Sequence, residues 1–67
     1  MNVAELVEEA RSYGPKAWIP VDLAEQILEY GISELLLYCP YYECLNLLEQ
    51  AEISVKRAHN QAITFLH

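Results

Sequence analysis

Two cysteines, two histidines and ten acidic side chains carry most of the reactive chemistry in this 67-residue chain. Cys39 and Cys44 are separated by four residues, and His59 and His67 by seven. A structural zinc site wants closer pairs, such as C-x2-C with H-x3-H, so neither spacing suits a metal and no cofactor is expected. The chain has no G-x-S-x-G, no glycine-rich phosphate loop and no H-E-x-x-H, and nothing in it brings a cysteine and a histidine together. The neighbouring acids Glu8 with Glu9, and Glu25 with Glu29, fit solvated helix faces better than an acid/base pair. The expectation is therefore a non-enzymatic protein. Its cysteines are expected to be two small apolar core residues, reduced in a cytosolic setting.

The aromatic residues offer recognition instead. Trp18 and Ile19 stand between Pro15 and Pro20, and Tyr38, Tyr41 and Tyr42 bracket Cys39-Pro40. These residues either plug the end of a bundle or are displayed to a partner, since tyrosine and tryptophan are favoured interface residues. The candidate partner-binding set is Trp18, Tyr38, Tyr41, Tyr42 and Ile53.

Four helices would position these groups. Over residues 2–13, Val3, Leu6, Val7 and Ala10 form a stripe, with Asn2 and Glu5 as a capping box and Gly14-Pro15 as the stop. Residues 14–21 read as a proline-stiffened connector. A second helix is expected over 22–30, with Asp22 and Glu25 as caps, Leu23, Ile27 and Tyr30 as its stripe, and Gly31 as a left-handed stop. A third segment, 33–39, holds Leu35, Leu36 and Leu37 and is apolar on every face, which calls for burial. Pro40 then opens a new helix, because inside one it would cost roughly 3 kcal/mol.

The last helix, 41–66, carries the strongest signal. Cys44, Leu48, Ala51, Val55, Ala58, Ala62 and Phe65 alternate steps of four and three, a coiled-coil-like seam. Leu45, Leu47, Ile63 and Leu66 broaden it. At about 1.5 Å per residue this helix is roughly 40 Å long, more than two short helices can cover. The fold class expected is all-α: one domain of three to four helices, completed by dimerisation. The self-association set is Leu35, Leu36, Cys44, Leu48, Ala51, Val55, Ala58, Ala62 and Phe65. A 54% hydrophobic composition points the same way, because so short a chain has little interior in which to hide it.

Charge narrows the partners. The net charge is −6, with −7 in residues 1–50 and +1 in 51–67. One basic pair, Lys56-Arg57, is too little for nucleic acid or an anionic membrane, whereas a basic protein surface is complementary. The longest uncharged apolar run, Leu35 to Tyr42, is far short of the ~20 residues of a membrane span. The acidic N-terminus lacks signal-peptide character, so a cytoplasmic location is expected. The leading expectation is a small acidic interaction module, acting as regulator, inhibitor or adaptor of another protein. Its size and charge resemble those of small inhibitors from phages and mobile elements. One alternative is a nucleic-acid mimic presenting Glu5, Glu8, Glu9, Glu25, Glu29, Glu43 and Glu49. Another is a degenerate helix-turn-helix around Gly31, whose second helix has no Arg, Lys, Asn or Gln to read bases.

Overall fold

The computed structural model describes residues 2–66, and side chains over residues 2–63. Its described residues form three helices, α1 (Val3–Tyr13), α2 (Val21–Leu35) and α3 (Tyr41–Leu66), and no strand. α2 lies between the other two and makes the main contacts with both.

α1 starts where the Asn2 carboxamide accepts the Glu5 amide at 2.9 Å. The capping box is only half formed, since the Glu5 carboxylate accepts from the Asn2 side-chain amide rather than from its backbone. Val3, Leu6, Val7 and Ala10 are buried as their spacing requires, and Gly14, at φ 89°, ends the helix by donating to the Arg11 carbonyl.

α2 differs from expectation at both ends. It begins at Val21 with Pro20 as cap, whose carbonyl accepts from the Ala24 amide, and Asp22 lies inside the first turn without capping it. Gly31 adopts φ 79° and ψ 178°, a conformation open to glycine, and interrupts the helix as expected, so that a short second helical stretch runs from it to Leu35 within the span of α2. The expected helix over 33–39 forms only in part, since its helical stretch ends at Leu35, where the Leu36 amide still donates to the Ile32 carbonyl. Residues 36–38 form a tight turn, held by Leu37 and Tyr38 amides donating to the Glu34 and Leu35 carbonyls. An apolar run fits a turn as well as a helix when only one of its members faces the core. Here Leu35 is buried while Leu36 and Leu37 point outward.

Pro40 breaks the chain rather than kinking a helix. Its carbonyl accepts from the Cys44 amide, and α3 starts at Tyr41. The core is a single cluster joining Leu6 and Val7 of α1, Leu23, Ala24, Ile27 and Leu35 of α2, and Cys44, Leu47 and Ala51 of α3, closed by Ile19 and Cys39. α3 is longer than the layer it covers. Its last buried described side chain is Ser54, Val55 and Ala58 are half-buried, and Ala62 is exposed. The molecule is accordingly elongated, at 42 × 20 × 18 Å.

Candidate interaction surface

The connector between α1 and α2 is clamped to α3 by two amide side chains. Gln50, on the buried side of α3, donates from Nε2 to the Gly14 and Ala17 carbonyls, each at 3.0 Å. Asn46, one turn earlier, donates to the Pro15 carbonyl and to Gln50 Oε1. These bonds satisfy carbonyls in a segment whose prolines deny it regular pairing. No buried side-chain nitrogen or oxygen among the described residues lacks a partner. Residues 42, 46, 50, 53 and 57 step by four and three, so one side of α3 runs along the connector. Gln50 was the residue the sequence reading missed. The available signal was its position between Leu47 and Ser54 on the core side of the helix.

An open hollow of about 490 Å³ lies at the Tyr42 end, between the end of α1 and α3, and includes Arg11, Pro15 and Glu43 in its wall. Arg11 bridges two acids there, at 2.6 Å to Glu43 and 2.7 Å to Glu8, so it ties α1 to the first turn of α3. The guanidinium holds the Glu43 carboxyl below its ordinary range. A second hollow of about 310 Å³ lies at the other end, between Trp18 and Ile53. Trp18 is 55% exposed, and the Arg57 guanidinium sits 3.1 Å from its ring centroid. The contact is a cation–π pair of about 0.5–1 kcal/mol at an exposed position.

The α2–α3 turn carries the most exposed apolar groups. Leu37 and Tyr42 are 73% and 76% exposed, and Leu36, Tyr38, Tyr41 and Leu45 stand out with them. All five candidate partner-binding residues, Trp18, Tyr38, Tyr41, Tyr42 and Ile53, are therefore on the surface. They do not line one hollow: Trp18 and Ile53 line the second, Tyr42 lines the first, Tyr38 belongs to the turn and Tyr41 starts α3.

The expected self-association set divides. Leu35, Cys44 and Ala51 are fully buried in the chain's own core cluster, which leaves no surface of theirs for a second copy. Leu36 and Ala62 are exposed, while Leu48, Val55 and Ala58 are half-buried. The side chain of Phe65 lies outside the described residues.

The remaining chemistry is sparse. Among the described residues no three His, Cys, Asp or Glu side chains come together to hold a metal. His59 is exposed on α3. Cys39 and Cys44 come together in the core, Sγ to Sγ at 2.9 Å. Burial first, and the Cys44 thiol second, push the Cys39 thiol up to about 12, so it is protonated at neutral pH. No described helix is long and apolar enough to cross a membrane. Comparison with family models, with curated proteins and with solved structures gives no match.

Proposed function

We propose that this chain is a non-enzymatic protein-interaction module that works as a homodimer and acts as a regulator, inhibitor or adaptor of a protein with a basic surface. One observation carries the reading. Six large apolar side chains, from Leu36 to Leu45, are exposed over ten residues, and the apolar side of α3 continues past the core that could cover it. Large apolar side chains exposed this close together in the chain point to an association site.

A second copy of the chain can pair along the outer edge of α3 that begins in this group at Tyr42 and Leu45. Tyr42, Glu49, Lys56 and Ile63 recur every seven residues, so they lie along one edge of α3, and all four are exposed. Glu49 and Lys56 make no ion pair among the described residues. An antiparallel pairing centred between Glu52 and Ile53 sets Lys56 of each copy beside Glu49 of the other, and Tyr42 beside Ile63. It also lays the basic end of one α3 on the acidic end of its mate, which is the charge asymmetry of the sequence turned into complementarity. The remaining acids, among them Glu9, Glu25 and Glu29, stay free to meet a basic partner.

Light scattering at low micromolar concentration tests the dimer. The expected mass is twice the 7.7 kDa of one chain. Lys56→Glu should weaken association, and adding Glu49→Lys should restore it. A monomeric wild type, or a double variant no better than the single one, overturns the arrangement.

A further inference from the structure

We propose that Cys39 and Cys44 form a reversible intramolecular disulfide, exchanging with a low-molecular-weight disulfide such as oxidised glutathione. The inference stands apart from the dimer and would hold for a monomer.

The geometry comes from both sides of the break at Pro40. Cys39 ends the turn, where its amide donates to the Leu35 carbonyl. Cys44 sits in the first turn of α3, where its amide donates to the Pro40 carbonyl. These anchors leave the sulfurs 2.9 Å apart, against about 2.05 Å in a disulfide. Both side chains are core residues, 7% and 0% exposed, so packing fixes their positions. Each thiol also donates to a carbonyl, Cys39 to Leu35 and Cys44 to Cys39. Oxidation would remove both donors. The Leu35 carbonyl would keep two backbone amides, those of Tyr38 and Cys39, so the loss there is small.

The exchange balances. One protein thiol, as its thiolate, attacks a sulfur of the small disulfide and displaces one small thiolate, which takes up the proton. The second protein thiol then loses its proton and attacks the sulfur of the mixed disulfide that belongs to the protein, releasing the other small thiol. The protein gives up two electrons and two protons, and one small disulfide becomes two small thiols. Because the thiols are buried and Cys39 is hard to ionise, the native chain exchanges slowly, and the pair closes when the turn opens or during folding. Where glutathione is kept reduced, the dithiol is the resting form. The bond would close a six-residue ring that contains Tyr41 and Tyr42, the exposed first residues of α3, so the redox state would set how rigidly they are displayed.

The test is an equilibrium measurement. The whole chain is refolded in glutathione buffers of graded composition, quenched with acid, alkylated and weighed. A parallel series is run in concentrated urea. The expected product is two hydrogens lighter and takes no alkylating agent. The pair's effective concentration should be about tenfold or more higher in the native series than in urea, because the fold holds the sulfurs together and the unfolded chain does not. Cys44→Ala should abolish that product. An effective concentration no higher than in urea, or a glutathione mixed disulfide as the main native product, overturns the proposal.

Discussion

Replacing Gln50 by alanine removes the two donors that hold the connector to α3. The Gly14 and Ala17 carbonyls each lose a bond of 3.0 Å, and Asn46 loses one of its two acceptors. A hydrogen bond of this kind contributes about 1 kcal/mol net, so two contribute about 2 kcal/mol. For a chain of 67 residues the unfolding entropy is on the order of 140 cal/mol/K, so that loss lowers the midpoint by about 14 °C. Circular dichroism measures the global transition, and emission from Trp18, the one tryptophan, reports on the connector. Gln50→Glu sharpens the test. Its carboxylate faces two carbonyl oxygens and can only accept, which disfavours the charged form and raises its folded pKa. The stability that this variant retains is fully present below the unfolded value near 4.3 and is lost as pH rises through the raised one. It should therefore be weaker than the alanine variant at pH 7 and recover in acid, where the protonated carboxyl donates once. An alanine variant within about 0.5 kcal/mol of wild type, or a glutamate variant that follows the wild-type pH curve, refutes the clamp.

Gly31→Ala tests the bend in α2. An added Cβ meets nothing within 4 Å, so the cost is purely conformational, about 1–3 kcal/mol for an L-residue at φ 79° and ψ 178°. D-alanine at the same position, introduced by chemical synthesis, should be at least as stable as glycine, and equal losses for both enantiomers would count against the assigned backbone. Glu43→Gln should lower the urea midpoint at neutral pH. Because Arg11 depresses the Glu43 pKa, the advantage of the wild type is present above the ordinary carboxyl value and disappears as pH falls through the depressed one. A gap between the two proteins that stays constant into acid would mean that the ion pair contributes nothing.

The helices were legible in the sequence where a local rule sufficed. Asn2 and Gly14 bound α1, and Val3, Leu6, Val7 and Ala10 give its buried face directly. Pro40 marks the start of α3, because a proline in mid-helix is too costly to be tolerated there. Leu36 and Leu37 were not legible, since hydrophobicity alone does not distinguish a helix from a turn that leaves them uncovered. The contact between Cys39 and Cys44 was hidden for a related reason. It depends on the angle at which the chain leaves α2 and enters α3, and no spacing rule contains that angle. Gln50 was obscured by its type, for a polar side chain on the core side has meaning only once the Gly14 and Ala17 carbonyls are known to lie opposite.

The overhang of α3 also divides the molecule into regions of unequal persistence. Backbone amides around Leu47 and Ala51 are protected by the core, so they exchange with solvent only when the whole fold opens. Those around His59 and Asn60 lie where α1 and α2 no longer reach, and a helical stretch of this length has little stability of its own in water. Association that covers this arm would have to supply the free energy that keeps it wound. Affinity would then depend on helix propensity at positions that touch nothing. At the exposed Asn60 and Gln61, a stronger helix former would tighten binding without adding a contact.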